Sequence, residues 1–176
     1  MNRRKPPCSE LLYDLIQTPL GHICLTYSIT TKGALRLSGV GFGAPAHAAK
    51  RNPLPAWVEA QFREYFEGRR RRFDIQIALS GTEFDKKVWL ALNEIPYGET
   101  RTYKWLAERL GIPRGVRAVG RALGRNPLPI VLPCHRVIQS DGGLGGYSSG
   151  IEIKRRLLDL EYYSSLGSGR LRESRG

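Results

Sequence analysis

No stretch of the 176 residues approaches the roughly 18 consecutive apolar residues that a membrane helix needs, so no membrane span is expected. The basic start, Met1-Asn2-Arg3-Arg4-Lys5-Pro6-Pro7-Cys8, lacks the apolar core of a signal peptide. Cysteine is scarce. The three present, Cys8, Cys24 and Cys134, are an odd number in a chain without a secretion signal, which argues against a disulfide framework and for reduced thiols in a cytoplasmic setting. Acidic residues are also few, 16 Asp and Glu against 28 Lys and Arg. Wholesale disorder is excluded by a hydrophobic fraction of 41%, ordinary for a globular chain.

The positive charge is concentrated in kind and in place. Arginine supplies 21 of the 28 cations, and its planar fork suits phosphate and base edges. Between Arg101 and Arg136 lie eight cations (Arg101, Lys104, Arg109, Arg114, Arg117, Arg121, Arg125, Arg136) and one acid, Glu108. A solvated basic face would account for this. A polyanion partner accounts for it better, with nucleic acid ahead of a membrane surface because no amphipathic basic helix stands alone.

Residues 11–42 read as short strands separated by turns at Pro19-Leu20-Gly21 and Thr31-Lys32-Gly33, an antiparallel meander. From Pro53 to Gly68 the period becomes helical, with Gly68 as the stop signal, and Phe73–Ile77 alternates as a half-buried strand does. These elements predict an α+β class: a small N-terminal sheet-plus-helix domain over 1–79 and a mainly helical domain over 80–163. A flexible Ser/Gly/Arg-rich tail is expected over 164–176. In the second domain, Thr82 and Asp85 resemble a capping box before a helix that Pro96-Tyr97-Gly98 stops. Two short helices, Thr102–Leu110 and Gly115–Leu123, joined by a Gly-containing turn, form a helix-turn-helix pattern. The second interleaves Gly115, Ala118 and Gly120 with arginine. Those small residues allow either close approach to a narrow groove or tight packing on the neighbouring helix, and the sequence leaves both open.

The densest chemical signal is the run from Asn126 to Ile138, in which three prolines lead to Cys134-His135-Arg136. A cysteine beside imidazole and guanidinium can be a nucleophile activated as thiolate. It can equally be a buried structural cysteine next to a basic pair, and the tripeptide alone does not decide.

The run Asn126–Val137 resembles the active-site signature of the O6-alkylguanine-DNA alkyltransferases, the methylated-DNA–protein-cysteine methyltransferases. Further segments resemble that family in order: Thr18-Pro19-Leu20-Gly21, Tyr65-Phe66-Glu67-Gly68, Gly81-Thr82-Glu83-Phe84, Val88-Trp89, Ile95-Pro96-Tyr97-Gly98-Glu99-Thr100, Tyr103, Arg117-Ala118-Val119-Gly120, Gly145-Gly146-Tyr147-Ser148 and Lys154–Glu161. The resemblance implies a direct-reversal DNA repair protein, which flips O6-alkylguanine, and more weakly O4-alkylthymine, out of the duplex. The alkyl group then passes irreversibly to a cysteine of the protein, once per molecule.

By that resemblance Cys134 is the acceptor, His135 a base acting through a water molecule, and Glu161 the group that fixes the His135 tautomer and stabilises its cation. Tyr103 donates to the guanine ring, and Asn126 braces the active-site turn. Arg117 enters the duplex in place of the flipped base, while Gly115, Ala118 and Gly120 admit the helix to the minor groove. Pro129, Val137, Tyr147 and Ser148 line the base pocket, with backbone freedom from Gly142–Gly146. Tyr103, Lys104 and Ser140 lie where the family contacts DNA. No cofactor is implied, and the protein is expected to be a monomer that binds double-stranded DNA and no membrane.

Some features depart from the family. Asp85, a carboxylate where relatives carry an uncharged polar group near DNA, is assigned to capping. Arg121 is bulkier than the small residue of some relatives. Zinc occurs in the N-terminal domain of some relatives, but here Cys8, His22, Cys24 and His47 offer no standard ligand spacing, so no metal is expected. Two other readings are a lesion-binding sensor without chemistry, which Cys134 argues against, and a helix-turn-helix regulator, which leaves the Pro-Cys-His-Arg run unexplained.

Overall fold

The computed structural model describes residues 10–43 and 49–173, with side chains as far as residue 167. Strands β1 (Leu12–Thr18), β2 (Gly21–Ile29) and β3 (Leu35–Phe42) form the expected antiparallel meander. The Thr18–Gly21 turn is closed by the Thr18 hydroxyl donating to the Gly21 carbonyl at 2.7 Å. A two-residue β4 (Lys50–Arg51) adds to β1 in parallel, giving the order β3-β2-β1-β4. Helix α1 (Ala56–Phe66) lays Val58, Phe62, Tyr65 and Phe66 into the same core as Leu12, Ile16, Ile23 and Leu25 of the sheet. It ends where Gly68 takes φ 72°, the left-handed conformation that glycine adopts without a Cβ penalty.

Phe73–Ile77 is not the strand its alternation predicts. It touches β3 through a single bridge, Leu37 to Ile77. The Asp74 backbone is instead held by the Gln61 side chain, whose amide donates to the Asp74 carbonyl at 3.1 Å and whose oxygen accepts from the Asp74 N–H at 2.7 Å. A side chain of α1 thus takes the bonds that a neighbouring strand would have made, while Phe73, Ile75 and Ile77 still pack against the core.

After Ser80-Gly81 the chain becomes helical. Helix α2 (Glu83–Ala91) is capped by the Thr82 hydroxyl, which accepts from the Asp85 N–H at 3.1 Å. Two short strands, β5 (Arg101–Thr102) and β6 (Val137–Ile138), pair in parallel and tie the segment before α3 to the one after the signature run. Helix α3 (Tyr103–Arg109) is capped by Thr102, turns at Gly111, and leads into α4 (Val116–Gly124). The Trp89 indole donates to the Ala122 carbonyl at 2.8 Å in the interior, fixing α4 against α2. This helix-turn-helix on a sheet-and-helix base is the α+β class expected. The last helix, α5, runs Ile151–Glu173, so the segment from Ser164 read as a tail continues the helix as far as Glu173. No helix among the described residues is long and apolar enough to cross a membrane.

Candidate active site and nucleic-acid interface

The signature run is a braced loop. The Asn126 amide donates to the Leu132 carbonyl at 2.8 Å, and its oxygen accepts from the Leu128 N–H at 3.0 Å. From the sheet, the Val40 N–H donates to the Pro127 carbonyl at 2.8 Å. These restraints hold Ile130, buried and β-branched, at φ 76°. Such a conformation costs about 1–3 kcal/mol and persists only where the surroundings enforce it. The loop delivers Cys134 to the first position of a 3-10 turn, Cys134–Arg136.

Cys134 is 5% exposed, and His135 and Glu161 are fully buried. The His135 Nε2 lies 2.8 Å from Glu161 Oε1. Burial alone would raise the Glu161 carboxyl; the hydrogen bonds and charges of His135 and Arg136 outweigh it and hold the group well below the usual carboxylate range. An ionised Glu161 has no proton to give, so Nε2 carries the hydrogen and the lone pair sits on Nδ1. Nδ1 is buried and without a hydrogen-bond partner among the described residues. Burial lowers the His135 pKa, although Glu161 pulls it up, so the ring is neutral near pH 7 and able to accept a proton.

Burial likewise pushes the Cys134 thiol up, while Asn126, Tyr147 and the charge of Lys154 pull it down. Lys154 is an ammonium with no exposed surface. Its Nζ donates to the Val137 carbonyl at 2.5 Å and to the Leu144 carbonyl. Burial brings its pKa down to about 8. It also lies 5.9 Å from the Tyr103 ring centroid.

Cys134 opens into a cavity of about 470 Å³ between α3, α4 and the 139–148 loop, with Tyr103, Arg117, Gly120, Gln139, Tyr147 and Ser148 in its wall. A larger cleft, about 560 Å³, lies behind the 130–133 segment and does not include Cys134. The Tyr103 hydroxyl donates to the Gly146 carbonyl at 3.4 Å. Gly145, at φ 69°, lies so close that a Cβ there would be 2.9 Å from the same hydroxyl. Pro129 and Val137 do not line this cavity: both are buried, and Val137 contributes its carbonyl to Lys154. Ser140 and Lys104 are exposed beside it, and Gly115 and Ala118 are half-buried at the start of α4.

The basic stretch divides once it is folded. Arg136 is buried with its guanidinium on Glu161, at 2.8 and 2.9 Å, and on the Ile95 carbonyl, so it is no part of a basic surface. Arg101, Arg109 and Arg125 pair with Glu99, Glu94 and Asp85. The Arg125 pairing neutralises the buried Asp85 carboxylate, while the Asp85 backbone N–H donates to the Thr82 hydroxyl in the α2 cap. Arg114, Arg117 and Arg121 remain exposed and without an ion pair among the described residues, before and along α4. Sequence reasoning missed Arg136, counted as surface charge, and Lys154, noted only within a motif. It also missed Tyr65, whose hydroxyl donates to Glu161 Oε1 at 2.7 Å. Of the zinc candidates, Cys8 and His47 lie outside the described residues, and no group of three metal-ligating side chains occurs among those described.

Known proteins resemble this chain in sequence and fold. The family model described as "6-O-methylguanine DNA methyltransferase, DNA binding domain" matches residues 83–163. The methylated-DNA–protein-cysteine methyltransferase of Methanosarcina barkeri is 48% identical over 161 residues, covering 86% of this chain and 97% of its own. The constitutive methylated-DNA–protein-cysteine methyltransferase of Bacillus subtilis is 41% identical over 158 residues, covering 86% and 96%. The crystal structure of Mycobacterium tuberculosis OGT in complex with DNA superposes with a TM-score of 0.77 at 39% identity, over 87% of this chain and 94% of that one. The chain therefore belongs to the methylated-DNA–protein-cysteine methyltransferase family.

Lys154 provides a test of the site's electrostatics. Lys154→Met removes the buried cation near the thiol, so the pH of half-maximal Cys134 alkylation by iodoacetamide rises, by about one unit. An unchanged profile in a folded variant contradicts the assignment.

Proposed function

We propose that this protein repairs double-stranded DNA by moving the alkyl group of O6-alkylguanine, and more weakly of O4-alkylthymine, onto Cys134, once per molecule. The observation that carries this reading is a cysteine opening into a cavity roomy enough for a base, followed at once by a neutral histidine whose free nitrogen is buried and whose other nitrogen is fixed on an ionised glutamate.

The damaged oxygen lies inside the stacked duplex, so the nucleotide must rotate out, at a cost of a few kcal/mol. Arg117 is exposed at the rim of the cavity and fills the space the base leaves. Ala118 and Gly120 keep the α4 surface low enough to enter the minor groove, Gly115 lets the helix start close against Ile112, where a Cβ would come within 2.8 Å, and Arg114, Arg121, Lys104 and Ser140 face phosphates. In the pocket, His135 Nδ1 takes the thiol proton through a water molecule, and Glu161 holds the imidazolium that forms. The thiolate attacks the alkyl carbon in line; the S–C bond forms as the C–O6 bond breaks, and the electron pair returns to the base. Tyr103 supports that charge as the ring takes up a proton, so that overall the alkyl group and a proton exchange places. The thioether product has no leaving group that this site can expel, which limits each molecule to one turnover. Asn126 keeps the loop in its strained form, and Tyr147 and Ser148 frame the base.

Cys134→Ala should abolish transfer from O6-methylguanine duplex while leaving DNA affinity within about threefold, because phosphate contacts supply most of it. Transfer that survives would place the acceptor elsewhere. Arg117→Ala should slow repair of duplex by on the order of 100-fold, the equivalent of a few kcal/mol. The same variant should react with free O6-benzylguanine at nearly the wild-type rate. Equal losses on both substrates would remove Arg117 from the flipping step.

A further inference from the structure

Tyr65 lies on α1, 70 residues before His135, yet its hydroxyl ends between His135 and Glu161. It donates to Glu161 Oε1 at 2.7 Å and lies 3.5 Å from His135 Nε2. Tyr65 is fully buried, and its ring is fixed on three sides by aromatic neighbours, with centroids 5.3 Å away for Phe66, 5.4 Å for Phe73 and 5.9 Å for Tyr97. Burial, then the charge of Glu161, pushes the phenol well above its ordinary range, so the group is a permanent donor and never a base.

The carboxylate it meets is saturated. Oε1 accepts from His135, Tyr65 and Arg136, and Oε2 from Arg136 and from the Gly98 N–H at 3.1 Å. Of these donors, Tyr65 alone comes from the sheet-bearing part of the chain. Removing it frees Oε1 to tilt and leaves the carboxylate less stabilised. A less stabilised carboxylate is more basic and holds the imidazolium form of His135 more tightly. The other charged or titratable groups around this cluster are Cys134 and Arg136 on the 3-10 turn, Lys154 on α5, Tyr97 in the turn after α2, and Tyr147 on the cavity wall. Of these, only Arg136 also donates to Oε1, at 2.9 Å.

We infer that Tyr65 is a positioning residue for alkyl transfer: from the N-terminal part of the chain, its hydroxyl fixes Glu161 and, through it, the His135 ring. The inference rests on the reading of Cys134 as acceptor and His135 as its base. It makes the small sheet-and-helix part a component of the reaction as well as a support for it.

The test uses the full-length protein and Tyr65→Phe, which keeps the ring and removes only the hydroxyl. Single-turnover transfer from free O6-benzylguanine is followed against pH, and the three histidines make ¹⁵N imidazole titration of His135 tractable. The plateau rate should fall by on the order of tenfold, a fraction of what a well-placed proton acceptor contributes. The sign follows from the donor lost: His135 protonates at higher pH, so the acid limb and the His135 titration both move up, by about half to one unit. Phe62→Leu loosens α1 packing without touching the cluster, and should lower the melting temperature while leaving the acid limb in place.

A Tyr65→Phe protein with the wild-type profile overturns the inference, as does an equal shift in Phe62→Leu, which would reduce Tyr65 to packing. A His135 titration that moves without any change in transfer overturns it as well. Wild-type protein that never labels Cys134 would instead sink the reading beneath it, a result distinct from any of these.

Discussion

A single carboxylate organises this molecule. Glu161 is fully buried and accepts five hydrogen bonds, from α1, the turn after α2 and the 3-10 turn that carries Cys134. An unpaired charge there would be prohibitive, and removing one partner of such a buried pair costs about 3–5 kcal/mol. The fold is therefore committed to bringing Arg136, His135 and Tyr65 together. Once they are together, the tautomer of His135 follows: Glu161 holds the proton on Nε2 and leaves Nδ1 free.

Around that anchor, two kinds of basic residue serve different ends. Arg136 and Lys154 are interior charges, one neutralising Glu161 and the other bonded to backbone carbonyls beside the thiol. Arg114, Arg117 and Arg121 are exterior and carry no ion pair among the described residues, so their fields extend into solvent. Composition registers only their sum. The strained Ile130 lies in the loop that Asn126 and Val40 hold, four residues before Cys134.

Much of this was legible in the sequence, for definite reasons. The meander, α1 with its Gly68 stop, and the capped helices declare themselves through local chemistry: period, turn glycines, and Thr82 before Asp85. Cys134, His135 and Glu161 are legible only through the family resemblance, and of the three the structure joins the side chains of His135 and Glu161. What stayed hidden was what depends on distance along the chain. Phe73–Ile77 alternates like a strand but loses its ladder to the Gln61 side chain, a contact no local pattern announces. Arg136 looks like its exposed neighbours until Glu161, 25 positions later, claims it. Tyr65 sits on an ordinary amphipathic helix, where a buried tyrosine reads as core. The helix continuing past Ser164 runs against a composition rich in Ser, Gly and Arg.

The most direct test of the central claim is intact-protein mass spectrometry after incubation with duplex DNA containing O6-methylguanine, followed by peptide mapping. The account predicts one added methyl group per protein molecule, on Cys134 and on neither of the other two cysteines. Tight binding to the lesion with no change in mass would contradict it, and would make the buried Cys134–His135–Glu161 cluster a structural element of a lesion sensor.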